Sequence, residues 1–311
     1  MQIRQATETD IPGILTVLKA SLGETSSKKT EEVWRYKHIE NPFGESLVLV
    51  AEESEVIIGV RAFMRWQWKR GEKVYSAFRA VDTATHPDHQ GKGIFKKLTL
   101  AALKIGKENK DHFVFNTPNT QSKPGYLKMG WQEVGKVHTH IVPVSPLSWN
   151  AKLPGKYPIN GNGVNSALIP MWNNNLNRTN LLYTSKSIKF LEWRYKKNPL
   201  QKYRIEANEN YFIAGYVKQQ KHIKELRISE LIVLNEEAKK DCTKVIKDWA
   251  REYGVHFISY NDPIKLNLFK IKISGNFGPV LTYKNLGIDE LQSEYLELNK
   301  WAYSLGDLEL F

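Results

Sequence analysis

The tetrapeptide Trp34-Arg35-Tyr36-Lys37 recurs as Trp193-Arg194-Tyr195-Lys196, and an Asn-Pro pair follows each copy, Asn41-Pro42 and Asn198-Pro199. Four residues can repeat by accident, but the patterning after each copy repeats too. In the first half, alternation predicts strands near 46–52, 56–68 and 74–85. A helix over about 90–109 follows, with Ile94, Leu98, Ala101, Ala102 and Ile105 on one face, and then a short strand at 112–116. In the second half the same order reads as strands at 204–207, 211–217 and 226–234, a helix at 236–254 and a strand at 255–259. A shared order of this kind points to duplication. Residues 145–185 are rich in Pro, Gly and Asn and read as a linker or elaborate loop. The expected division is therefore a first domain at 1–145, a connecting stretch at 146–185 and a second domain at 186–311.

Composition narrows the class. Apolar residues make up 41% and charged residues 25%, which is globular and not disordered. The longest apolar runs, LVLVA and VIIGV, are too short to span a bilayer. The opening MQIRQATETD lacks a signal core. One cysteine, Cys242, excludes an internal disulfide framework and a multi-cysteine zinc site. A soluble cytoplasmic protein without a metal is the expectation. Net charge is +12, carried by both halves, and residues 287–311 are acidic against a basic body. Nucleic-acid binding would need that charge clustered on one face. It stays possible and is not favoured.

The two long helices open differently. The second begins NEEAKKDC, with two glutamates where a bound phosphate would be repelled. The first is preceded by Thr85-His-Pro-Asp-His-Gln-Gly-Lys-Gly-Ile94. A helix N-terminus presents unpaired N–H groups and the positive end of its dipole. Glycines before it let the main chain approach an anion closely, which suits a pyrophosphate. Neither the P-loop pattern nor GxGxxG is present.

Gln90-Gly91-Lys92-Gly93-Ile94-Phe95, with Pro87 before it, resembles the phosphate signature of the GNAT (GCN5-related N-acetyltransferase) superfamily. That signature has a small residue where Phe95 stands, so the phenyl ring must turn away from the pyrophosphate. A second segment agrees: Asn119, Ser122, Tyr126, Lys128, Gly130 and Trp131 resemble the family's Asn…Tyr-x-Lys-x-Gly-aromatic pattern. The opening IRQATETDIPGI looks like the family's first strand and helix. The likeness is close over residues 1–145 and holds only in outline beyond.

The resemblance implies an α+β fold of two GNAT-like domains, each a mixed, mostly antiparallel sheet flanked by helices. The second would be degenerate and shape the acceptor site. Acetyl-CoA or another acyl-CoA would be the co-substrate, and a primary amine of a small molecule, sugar or peptide the acceptor. Transfer would be direct, in a ternary complex. Thr83, Ala84 and Thr85 would meet the pantetheine with Asn119 and Ser122, and Gln90, Gly91, Lys92, Gly93, Ile94 and Phe95 the pyrophosphate. Tyr126 falls on the general-acid position; a phenol is protonated at neutral pH and can protonate a thiolate. Asp82 and the terminal carboxylate of Phe311 are the candidate bases. His86 and His89 lack the further ligands a zinc site needs; His138 and His140 alternate on one strand face, which either lines the acceptor cleft or meets solvent. The alternatives are a Fem-type aminoacyl transferase, which does not need CoA, and a non-catalytic CoA- or nucleic-acid-binding protein.

Overall fold

Each element follows from an apolar stripe or alternation closed by a marked turn. Strand β1 (Gln2–Gln5) leads to α1 (Ile11–Leu22), which carries Pro12 in its first turn and buries Ile11, Ile14, Val17 and Leu18. Helix α2 (Glu31–His38) is capped by Thr30, whose hydroxyl accepts from the Val33 N–H. Strands β2 (Leu47–Glu53), β3 (Val56–Arg70) and β4 (Lys73–Thr85) form an antiparallel meander. Helix α3 (Ile94–Glu108) returns the chain to β5 (Phe113–Asn116), parallel to β4. Then come α4 (Lys123–Lys128), β6 (Gln132–Lys136) and β7 (Thr139–Pro143).

The stretch expected as a linker holds structure: β8 (Ile159–Asn160), α5 (Leu168–Asn177) with Leu168, Ile169, Trp172 and Leu176 buried, and β9 (Leu182–Tyr183). Helix α6 (Ile188–Leu191) runs into a π-helical turn, Glu192–Lys196, that carries the second tetrapeptide copy. A second meander follows, β10 (Arg204–Ala207), β11 (Tyr211–Gln220) and β12 (Ile223–Val233). Helix α7 (Glu236–Glu252) then leads to β13 (Phe257–Tyr260), parallel to β12. Strands β14 (Ile273–Gly275), β15 (Val280–Asn285) and β16 (Trp301–Ala302) and helix α8 (Leu305–Leu308) complete the order. This computed structural model describes residues 1–24, 28–149, 151, 153, 157–160, 166–263, 265–287 and 294–308.

Two mostly antiparallel sheets, flanked by helices, make the fold α+β. They exchange strands. The first sheet runs β1-β2-β3-β4-β5-β15-β6, with β9 and β16 beside β3; the second runs β14-β7-β13-β12-β11-β10-β8. Strand β15, late in the chain, lies antiparallel between β5 and β6. Strand β7, early in the chain, lies antiparallel between β13 and β14. Each sheet thus holds one inner strand of the other half in the same place.

The halves meet through aromatic packing. Tyr36 stacks on Trp193 at 5.0 Å; its hydroxyl donates to the Trp193 carbonyl at 3.0 Å, and the Trp193 indole donates to the Tyr36 carbonyl at 2.9 Å. The repeated tetrapeptides therefore hold each other. Trp66 and Trp68, alternating on β3, are fully buried, Trp68 edge-on to Trp301 at 4.8 Å. Each such ring contributes on the order of 2–3 kcal/mol of burial. Cys242 is a core residue beside Ile246 and Trp249, and burial pushes its thiol pKa well up.

Helix α8 is tied down by a buried cluster. Lys186 Nζ lies 2.8 Å from both the Glu230 and Asp307 carboxylates. Tyr195, in the second tetrapeptide copy, donates to Glu230 at 3.0 Å.

Candidate active site

Strands β4 and β5 pair only from Ala77 to Arg79 on the β4 side, yet β4 continues to Thr85. Among the described residues it has no strand partner on that edge beyond Arg79. A bulge sits there: Arg61 of β3 faces Thr83 and Ala62 faces Val81, so Asp82 is the extra residue, with φ of +40°. The parted strands open a cleft of about 980 Å³. Its wall is formed by residues 80–85 of β4, the glycine turn, residues 116–119 after β5, and Tyr126 of α4.

The glycine turn presents bare main chain to this cleft. Gly91 and Gly93 have φ of +76° and +73°, and no heavy atom lies within 4 Å of where their Cβ atoms would stand. Glycine is required by the backbone conformation, not by crowding. Gly93 is the N-cap of α3, and among the described residues no side chain caps that helix. The first-turn N–H groups are therefore left for a ligand. In α7 the equivalent place is filled: Asn235 accepts from the Ala238 N–H at 2.8 Å, and Glu236 and Glu237 follow. Phe95 turns its ring toward α4, edge-on to Tyr126 at 5.6 Å and over Gly125, where a Cβ would come within 3.1 Å of the ring.

Of the residues expected here, Asp82, Thr83, Ala84, Thr85, Gln90, Gly91, Gly93, Ile94, Phe95, Asn119, Ser122 and Tyr126 all line the cleft. Lys92 does not; its ammonium lies 3.5 Å from His89 Nδ1, and the lysines that line the cleft are Lys29, Lys37 and Lys96. Asn119 accepts from the Ser122 N–H at 2.8 Å and from its hydroxyl at 2.9 Å, which fixes the entry to α4. Phe311 lies outside the described residues. His138 and His140 bond Asn276 and Ser274 away from the cleft.

Tyr126 is buried except at the cleft, and its hydroxyl takes a hydrogen bond from Arg61 Nη1 at 2.7 Å. The same nitrogen bonds the Thr83 hydroxyl. A phenol oxygen that accepts from Arg61 keeps its own hydrogen for another acceptor.

Asp82 is 11% exposed and bonded to the Lys37 ammonium and to His38 Nε2, the latter at 3.0 Å. Burial works against its charge, but Lys37 and His38 outweigh it and hold the carboxyl well below the usual range. A carboxylate so stabilised is a weak proton acceptor, which counts against Asp82 as the base. Burial lowers the His38 pKa despite Asp82, and burial also lowers that of Lys29, which lines the cleft with Lys37. Arg61, Lys37, His38 and Lys29 were not singled out as site residues from the sequence. The available signals were a charge inside the apolar run VIIGVRAFM and a lysine inside the repeated tetrapeptide.

A second cavity, of about 460 Å³, shares Thr117 with the cleft as a lining residue. Its walls come from β7, β11, β12 and β13, with Ile141, Tyr216, Lys218, Glu225, Arg227 and Phe257, and from Leu305 and Leu308 of α8. The Leu308 carbonyl is bonded by Arg79 and lies 3.5 Å from the Thr117 hydroxyl. The second half thus contributes walls to a space that adjoins the cleft at Thr117.

A strand pair thus parts beside a glycine-led helix N-terminus. Residues 2–134 match the family described as "Acetyltransferase (GNAT) domain". Among solved structures, a GCN5-related N-acetyltransferase from Anabaena variabilis is similar over 92% of this chain and 73% of its own, with a TM-score of 0.67 and 14% identity. A probable N-acyltransferase from Enterococcus faecalis covers the same shares, with a TM-score of 0.66 and 11% identity. Eis1 from Mycobacterium abscessus is similar over 93% of this chain and 74% of its own, with a TM-score of 0.55 and 12% identity. At these identities the likeness is one of fold. No curated protein matched the chain in sequence. Among the described residues no helix is long and apolar enough to cross a membrane.

Proposed function

We propose that the protein transfers an acyl group, most simply acetyl, from an acyl-CoA to a primary amine by direct attack in a ternary complex. One observation carries this reading: the bare N-terminus of α3 and the Tyr126 hydroxyl open on one cleft, where β4 has lost its strand partner.

In this reading the main chain of residues 91–96 binds the pyrophosphate, with Lys96 adding charge. The free edge of β4 at 80–85 takes the pantetheine in place of a strand, and an N–H there meets the oxyanion. The acceptor enters by the second cavity and reaches the thioester past Thr117. Its nitrogen arrives neutral and forms the C–N bond. The C–S bond breaks with its electron pair on sulfur, and Tyr126 protonates that sulfur. Asp82 holds Lys37 and His38 in place and takes no proton. A single buried cysteine suits a reducing compartment, and we place the protein in the cytoplasm.

Calorimetry with acetyl-CoA and a thiol-release assay over a panel of amines test this. Micromolar binding and amine-dependent thiol release are expected. A chain that binds neither acetyl-CoA nor free CoA is not an acyl-CoA transferase.

A further inference from the structure

Arg61 is a buried cation of unusual surroundings. It is fully buried on β3, in the middle of an apolar run. Among the described residues no carboxylate bonds it. Its hydrogen bonds go to two hydroxyls, Tyr126 at 2.7 Å and Thr83, while Nε and Nη2 have no partner. Three rings surround the guanidinium instead: Phe63 at 4.6 Å, Tyr126 at 5.1 Å and Phe95 at 5.7 Å. Ring faces offset part of the desolvation cost of a cation, but less than an anion would. The chain therefore keeps a charge that an apolar residue of the same volume would improve for folding. Arg65, four residues further along the same strand, is paired to Asp111 in the ordinary way.

Arg61 does not line the cleft. It reaches the chemistry only through the oxygen of Tyr126 and through Thr83, both of which do. We propose that Arg61 is a positioning residue that stabilises the negative oxygen left on Tyr126 when its proton passes to the leaving sulfur. This rests on the acyl-transfer reading above. The balance closes as follows. The amine nitrogen bonds the acyl carbon, the C–S pair goes to sulfur, and sulfur takes the phenolic proton. The Tyr126 oxygen, transiently anionic, is held by Arg61 Nη1–H and is reprotonated by the proton the acceptor nitrogen gives up, through water. The charge without an acid partner meets an anion only during turnover. Before that, its hydrogen bond occupies one lone pair of the phenol and leaves the phenolic hydrogen aimed elsewhere.

The test is a double-mutant cycle of Arg61→Met and Tyr126→Phe, with Arg61→Lys beside it. It reads kcat, the acetyl-CoA dissociation constant and thermal melting. Arg61→Met should lower kcat by about 100-fold, the scale of losing one donor to a developing anion. Acetyl-CoA affinity should stay within about threefold, and the melting temperature should hold or rise, because a buried unpaired charge has gone. Arg61→Lys should retain more activity than Arg61→Met. In the Tyr126→Phe background, removing Arg61 should cost little more, since both act on one proton. A structural residue behaves otherwise: its losses multiply with those of Tyr126→Phe, and its removal lowers melting. Either result overturns the proposal. Full activity of Tyr126→Phe sinks the proposal while leaving acyl transfer standing. Failure of the wild type to bind either acetyl-CoA or free CoA removes the acyl-transfer reading, and this one with it.

Discussion

Asp82 illustrates how neighbours from other elements decide what one side chain can do. Its folded pKa is depressed, so its contribution to stability is present above the unfolded value near pH 4 and is lost as pH falls through the folded value. Asp82→Asn should therefore destabilise the protein at neutral pH by about 3 kcal/mol, the scale of stranding one partner of a buried pair. The gap in melting temperature between the two proteins should close as pH drops below about 4. A gap that stays constant from pH 7 to pH 3 contradicts the ion pair. Tyr126 gives a second residue-level expectation: Tyr126→Phe should lower kcat by about 10²- to 10³-fold with acetyl-CoA affinity unchanged, measured by thiol release and calorimetry. Its place was legible because the residues that mark it, Asn119 before and Gly130-Trp131 after, are close in sequence. Lys37, His38 and Arg61 were not, because each acquires its role from a partner in another element, 44 and 65 residues away for His38–Asp82 and Arg61–Tyr126.

At the scale of elements, α3 and α7 make an internal comparison. Both follow a meander and precede a parallel strand, and they differ in how the first turn is satisfied. Asn235 caps α7 with its side chain; Gly93, at φ +73°, leaves α3 uncapped. Gly93→Ala places a Cβ in open space, so its cost is backbone strain of about 1–2 kcal/mol. Gly93→Asp adds a side chain that satisfies those N–H groups and repels phosphate. The alanine variant should weaken acetyl-CoA binding by about 10-fold, and the aspartate variant by more than about 100-fold with little further loss of melting temperature. Equal affinities for the two variants exclude this turn as the anion site. The contrast between these helices was readable from glycines and glutamates, whose effect is local. Helix α5 was not: Pro170 and a run of asparagines hide the stripe of Leu168, Trp172 and Leu176. Nor was the π-helical turn, since Trp193-Arg194-Tyr195-Lys196 repeats a segment that is ordinary α-helix in the first half.

For the whole molecule, the exchange of β7 and β15 makes each sheet depend on the other half. Residues 131–144 read as one or two strands in the sequence, but a strand's period says nothing about its partner, so their placement in two different sheets was not legible. The same exchange shapes the site. Strand β15 covers the edge of β5 that β4 does not, Thr282 bonding Asn116 just before Thr117. A fragment of residues 1–145 would lack that strand, leaving β5 and β6 unjoined and the edge of β5 open to other chains. It would also expose Trp66, Trp68 and Tyr36, which the second half covers. Expressed as such a fragment, the first half should be insoluble or oligomeric by gel filtration and should not bind acetyl-CoA, even though it carries the whole glycine turn. The full chain should melt in one cooperative transition, because neither sheet is complete without the other. A soluble, monomeric fragment with a sharp melt would mean that β15 is dispensable. The cleft between β4 and β5 would then be a property of the first half, and the second half would act on the acceptor side only.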